Sequence, residues 1–188
     1  MLMSDVLALS ADSPQTALLL TEADLARPGP TIVHVNAPFL AMVKRGKDEV
    51  LGRSPRLLQG PETSRLATMK IARGLRRREP VSECLVNYRP DGTSYLCAVE
   101  IHPVFASSGR LDYFVAFEKE VVRRRGRPRA GFAGRFQPVD PDAFLPSELG
   151  FRDGGPSGCS GACRLGDLAA QADDPVDRYR PARGVAVG

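Results

Sequence analysis

The chain has 188 residues, 43% hydrophobic and 6% aromatic, with 26 Lys and Arg against 22 Asp and Glu. That is the profile of one medium domain with something attached, and it excludes a large multidomain enzyme. No stretch approaches the roughly 18 consecutive apolar residues of a membrane span, and residues 1–13 carry Asp5 and Asp12 where a secretory signal would carry Lys or Arg. A cytoplasmic protein with no membrane contact is expected.

The formal charge of +4 is too small to name a partner, so the placement of the arginines matters more. Four cysteines in a chain without an export signal read as free thiols. Eleven of the 18 glycines and seven of the 16 prolines fall in the last 70 residues, where hydrophobic periodicity also fades. The expected organisation is a cap segment at 1–13, a domain at 14–122, a basic linker at 123–131 and a largely disordered Gly/Pro-rich tail at 132–188.

Thr16–Thr21 and Thr31–Val35 are aliphatic and β-branched runs parted by a Pro- and Gly-bearing stretch, and they predict two strands. Asn36 is a good N-cap for a helix carrying Phe39, Leu40 and Val43. Ser54-Pro55 starts a second helix, with a capping hydroxyl followed by proline where its missing N–H costs nothing. A third is expected from Pro61, with Leu66, Met69, Ile71 and Leu75 as its apolar stripe and Arg76-Arg77-Arg78 at its end.

Three strands follow: Ser82–Arg89, then Ser94–Phe105 after the turn Pro90-Asp91-Gly92-Thr93, then Arg110–Val121. Hairpin-linked strands with helices between them predict an α+β fold, a five-stranded antiparallel sheet with helices on one face.

Gly52-Arg53-Ser54-Pro55-Arg56-Leu57-Leu58-Gln59-Gly60-Pro61-Glu62-Thr63 resembles the signature of LOV domains, the blue-light flavoprotein branch of the PAS fold, whose pattern runs G-R-N-C-R-F-L-Q-G-P-E-T. Leu85-Val86-Asn87-Tyr88-Arg89-Pro90-Asp91-Gly92-Thr93 is similar to that family's L-x-N-Y-R-K-D-G-T. Pro103-Val104 and residues 109–115 extend the likeness, which spans residues 12 to 122.

The resemblance implies FMN as cofactor, with Arg56 at its phosphate, Asn87 and Gln59 at the ring and its side chain, and Thr21, Leu58 and Phe114 around them. Three departures change that expectation. The cysteine that forms the flavin adduct in the family is replaced by Pro55, which has no nucleophile, so no cysteinyl adduct is expected. An amide at the polar edge of the ring becomes Cys97, and the glutamine of the last strand becomes Glu118, which must be protonated, paired or turned to solvent if it faces an apolar pocket. A second phosphate-contacting arginine would align at Ala72, one residue before Arg73.

Haem is not expected: the long helix has no histidine, and His34 and His102 lie on strands. Cys84 and Cys97 read first as small strand hydrophobes. Cys159 and Cys163 have three residues between them and no companion ligands, so no metal is expected. No nucleophile, phosphate-loop or metalloprotease motif is present, which leaves a non-enzymatic sensor acting by ligand occupancy, redox state or docking, with a homodimer and a downstream signalling protein as partners.

The alternative is a dimeric DNA-binding regulator. Arg124-Arg125-Gly126-Arg127-Pro128-Arg129 resembles an AT-hook, in which glycine lets an extended chain enter the narrow minor groove while arginines reach along its floor. Such a hook would prefer an A·T-rich duplex over a G·C-rich one, weaken steeply with salt, and be lost on changing Arg125 and Arg127 to alanine. Equal, weak retention of both duplexes in a two-salt titration removes the hook.

Overall fold

The computed structural model describes residues 1–12, 14–26, 28–123 and 136–149. An antiparallel sheet in the order β2-β1-β5-β4-β3 is built from β1 (Ala17–Glu22), β2 (Ile32–Val35), β3 (Val81–Tyr88), β4 (Ser94–Phe105) and β5 (Leu111–Arg123). Between β2 and β3 run α2 (Ala37–Val43), the one-turn α3 (Lys47–Val50), a 3-10 helix at Pro55–Leu58 and α4 (Arg65–Arg77). The α+β order matches the sequence expectation, with α3 added.

Asn36 caps α2 as expected, and it does more. Its Oδ1 accepts from the backbone N–H groups of Phe39 (3.0 Å) and Leu18 (2.9 Å), while its Nδ2 donates to Thr16 O (2.9 Å), so one side chain fixes the helix start against β1. Ser54 caps the 3-10 helix with Pro55 inside its first turn. Arg89 ties the far end of the sheet to α2 by donating from Nε to Met42 O (3.0 Å) and pairing with Glu120 (2.6 Å).

α4 begins later than the sequence suggests. Thr63 folds Gly60–Thr63 into a turn, its Oγ1 accepting from Gly60 N (2.9 Å) and donating to Val86 O (2.6 Å), so helix geometry starts only after Ser64, whose side chain accepts from Ala67 N (3.2 Å). The helix is also rotated from the expected stripe. Leu66 and Met69 face solvent, while Ala67, Ile71 and Leu75, spaced by four, face the sheet.

Two further corrections concern the opposite face. The sheet has six strands, because β6 (Phe136–Pro138) pairs with the end of β5, with Val121 opposite Pro138 and Arg123 opposite Phe136. Residues 136–149 therefore belong to the folded unit and not to a structureless tail. Helices do not lie on one face alone either: α1 (Met3–Asp12), in the stretch expected to be only a cap segment, buries Val6 and Leu9 against the face that α4 leaves uncovered.

The physical reason lies in the strands. Leu18, Cys84, Val86, Leu96, Ala98, Val115, Phe117 and Val121 make an apolar face as complete as the one toward the helices, and it is buried beneath α1 and Leu145. Polar contacts fasten the 136–149 strap over it. Thr16 Oγ1 donates to Phe144 O (2.7 Å) and accepts from Phe144 N (2.9 Å), Ser147 Oγ donates to Glu100 Oε2 (2.7 Å), and Lys119 pairs with Glu148. Burial raises the Glu100 carboxyl, but hydrogen bonds from His102 and Ser147 outweigh it and hold the group below the usual carboxylate range.

The two sheet edges are partly occupied. On β2, Ile32 N donates to Arg53 O (2.8 Å) and Ile32 O accepts from Gly52 N (2.9 Å). On β3, Thr63 takes Val86 O, and Tyr88 packs so close to Gly60 that a Cβ there would lie 2.4 Å from its ring.

Leu145 is 1% exposed and is the apolar anchor of the strap. Replacing it with alanine should lower stability by about 2–5 kcal/mol in urea unfolding, the ordinary cost of a buried leucine cavity. A loss within measurement error would mean that the strap contributes no packing energy.

Candidate functional site

Alternation along the strands builds the site. Register pairs Cys97 with Leu85, Val99 with Glu118, Ile101 with Ala116, Pro103 with Phe114, and Thr21 with Phe114, so these side chains share the sheet face that looks toward α4 and the 3-10 helix. Between that face and the helices lies a cavity of about 130 Å³. Its floor is mainly apolar, with Leu19, Leu85, Val99, Ile101 and Ala116, and its opposite wall is Thr68, Ile71, Ala72 and Leu75 of α4.

The mouth is formed by Pro30, Ser54, Pro55 and Arg56. Gly29 passes directly beside it. At φ +125° its missing Cβ would stand 2.9 Å from Ser54 Oγ and 3.3 Å from Arg56 Nε, so glycine serves both the backbone conformation and the close approach.

Three polar side chains interrupt the apolar lining at one end. Asn87, 4% exposed, has a buried Oδ1 with no hydrogen-bond partner. Glu118 is fully enclosed, and its Oε2 accepts from the Cys97 thiol at 3.3 Å. Burial pushes the Glu118 carboxyl up to about 7, the thiol hydrogen bond opposing that rise. Burial, and then the facing Glu118, pushes the Cys97 thiol up as well, so the sulfur is held as a thiol.

Behind this end, Arg89 stacks over the Tyr95 ring at 4.4 Å while paired to Glu120. Tyr95 is fully buried, and its hydroxyl is raised first by that burial.

A family model for the PAS domain matches residues 19–122, more than half of the chain. The chain belongs to the PAS domain family. Within it the similarity runs to the LOV branch. Blue-light-activated histidine kinase 1 of Erythrobacter litoralis is 31% identical over 108 residues, which cover 57% of this chain and 30% of that protein. Protein TWIN LOV 1 of Arabidopsis thaliana is 33% identical over 97 residues, covering 51% of this chain and 24% of its own.

Among solved structures, the dark form of the Aureochrome1 LOV domain superposes with a TM-score of 0.56 at 33% identity, covering 63% of this chain and 83% of that one. The LOV domain of the Erythrobacter litoralis EL346 blue-light-activated histidine kinase gives 0.52 at 27% identity, covering 56% and 94%. This LOV-like PAS domain thus corresponds to nearly the whole of those LOV structures, whereas the chain spans only about a quarter to a third of those two curated relatives.

Seven of the eight residues singled out from the sequence line this PAS cavity together: Thr21, Arg56, Leu58, Asn87, Cys97, Phe114 and Glu118. Gln59 does not. It ends the 3-10 helix, where its backbone N–H bonds to Arg56 O, and its side chain is absent from the lining. Pro55 lines the mouth at the position where the resemblance places the adduct-forming thiol, and Ala72 lines the wall while Arg73 is exposed. Arg124, Arg125, Gly126, Arg127, Pro128, Arg129, Cys159 and Cys163 lie outside the described residues.

Residues that sequence reading missed are the apolar floor and the α4 wall. The floor was accessible from the alternation: stepping by two from Asn87, Cys97 and Glu118 reaches Leu85, Val99, Ile101 and Ala116. Of the wall, Ile71 and Leu75 lay in the expected apolar stripe, while Thr68 was hidden by the rotation of α4. Among the described residues no helix is long and apolar enough to cross a membrane, and no group of three or more His, Cys, Asp and Glu could hold a metal ion.

Glu118 makes stability depend on pH in a stated direction. Between the ordinary glutamate value of 4.5 and about 7 the folded protein holds a proton that the unfolded chain has released, so stability falls as pH rises through that window and levels off above it. Glu118→Gln should remove this loss, leaving ligand-free protein more stable than wild type by up to about 3 kcal/mol at pH 8 and by little at pH 4.5. Urea unfolding at both pH values checks it; parallel pH profiles for the two proteins would refute the buried-acid assignment.

Proposed function

We propose that this LOV-like PAS domain is a signalling sensor module that binds a flavin, FMN by resemblance, without covalent attachment. It acts by ligand occupancy or redox state through docking to another protein, and catalyses no reaction itself. The observation that carries the reading is the cavity, where seven residues named from the LOV resemblance converge while proline occupies the place of the reactive cysteine.

The donor set fits a flavin. An unpaired Asn87 Oδ1 awaits a donor such as the imide N–H of the ring, and the mainly apolar space between the sheet and α4 suits an aromatic heterocycle. Arg56 at the mouth would meet a phosphate, and Ala72 supplies no second cation. When bound, flavin supplies blue-light absorption and redox chemistry.

The chain's own residues do the rest. Asn87 and Glu118 orient the polar edge, Leu85, Val99 and Ile101 exclude water from one side and Ile71 and Leu75 from the other, and Pro55 offers no sulfur at the mouth. The Cys97 thiol is no substitute, since it is raised by burial and already donates to Glu118. β5, which carries Glu118, is also the strand that pairs with β6 from Val121 onward, so a change at the cavity has a short route along β5 and across that pairing to the strap.

Absorbance of the purified protein, before and after blue light, tests the reading. The expected spectrum has flavin bands that do not bleach to an adduct-like form with thermal recovery. Such bleaching would overturn non-covalent holding, and failure to take up added FMN would overturn flavin binding.

A further inference from the structure

We propose that the cavity is a proton-linked site: an occupant binds with uptake of one proton at Glu118, whose neutral carboxyl donates a hydrogen bond to an acceptor atom of the ligand. The inference rests on the reading that this cavity takes a flavin, and it adds how the site is regulated.

The geometry around the carboxyl carries the argument. Glu118 lies in the middle of β5, opposite Val99 on β4 and Ala17 on β1, both apolar. Among the described residues its one hydrogen-bond partner is the Cys97 thiol. The other charged and titratable groups on this side are Glu120, paired with Arg89 over Tyr95, Glu83, paired with Lys70 of α4 at 3.3 Å, Arg56 at the mouth, and the buried Tyr95 hydroxyl, which is pushed up by burial and then by Cys97 and Glu118.

Apart from Arg56 of the 3-10 helix, the elements that close the cavity bring no charged side chain to Glu118. β1 contributes Leu19 and Thr21, and α4 contributes Thr68, Ile71, Ala72 and Leu75. His102 and Glu100 pair with each other on the opposite sheet face, as do Lys119 and Glu148. A negative charge at Glu118 is therefore stabilised by one weak thiol donor and by whatever water the cavity admits.

An occupant removes that water, which penalises the ionised form further and leaves the neutral form favoured. The neutral carboxyl gains an O–H, a donor that the ionised group lacks. Asn87 Oδ1 nearby seeks a donor, so the complementary ligand edge alternates an N–H with acceptors, as a flavin imide edge does. A protonated Glu118 thus matches the ligand where an ionised one would oppose its carbonyl oxygens. Binding raises the proton affinity of Glu118, and by reciprocity lower pH strengthens binding, by at most about tenfold per pH unit for one proton.

Fluorescence titrations of full-length protein with riboflavin and with FMN, at pH 6.5 and 8.5, test the linkage. Riboflavin has no phosphate, so its arm reports the cavity without ionisation of the ligand's own phosphate. Wild type should bind both ligands at least about tenfold more weakly at pH 8.5. Glu118→Gln should bind them with no such change. Cys97→Ala, which deletes the hydrogen bond favouring the ionised carboxyl, should move the loss of affinity to higher pH.

Equal affinity at both pH values in wild type, or a pH dependence that persists in Glu118→Gln, overturns the inference while leaving flavin binding intact. The two readings also separate without any ligand. An infrared carbonyl band of a protonated carboxyl should be present in flavin-free wild type at pH 6.5 and missing in Glu118→Gln; its absence from wild type overturns the proton linkage. Failure of every protein to bind either flavin overturns the flavin reading instead.

Discussion

The constraint on which the structure depends is that both faces of the central strands are buried. β4 and β5 run in continuous register for nine residue pairs, from Leu96 opposite Val121 to Val104 opposite Tyr113, and every second side chain goes to the cavity while its neighbours go beneath α1 and the strap. A sheet with one wet face could let either cover go. Here loss of α1 or of residues 136–149 would bare Leu96, Ala98, Val115 and Phe117, which have no polar alternation to meet water. The cavity and the strap are consequently two sides of one set of strands, and they cannot be treated as a ligand site and a separate appendage.

What the sequence made legible follows from the same fact. Strand order, the Asn36 cap and the Ser54-Pro55 turn are local signals, written in residue types whose backbone preferences do not depend on the rest of the fold. Eight candidate cavity residues were legible by resemblance, and seven of them, polar and apolar, do converge. Gln59 shows the limit of that route, since a motif position fixes a place on the chain and leaves the direction of the side chain to local geometry.

The remainder was set by tertiary contacts. The turn held by Thr63 delays α4, and packing against the sheet turns Ala67 inward with Ile71 and Leu75 while Leu66 and Met69, both more apolar than alanine, face solvent. The strap is weakly signalled in the sequence: three residues of β6, one buried leucine, and a set of hydrogen bonds whose partners, Glu100, Thr16 and Lys119, lie 29 to 128 positions away. Proline and glycine around it suggested a chain without structure. Composition averages over a segment, and a short segment can be held by a few well-placed atoms.

The blunted edges of the sheet have a consequence for how other molecules can approach. An open edge strand offers unpaired N–H and C=O groups as a template on which another strand can add. Here residues 52–53 occupy the backbone of Ile32 on β2, while Thr63 takes the carbonyl of Val86 and Tyr88 closes over Gly60 beside β3. Sideways growth of the sheet is obstructed at these points on both flanks. At these points a partner would have to read side chains, which can encode identity, and not main-chain ladders, which are the same for every sequence.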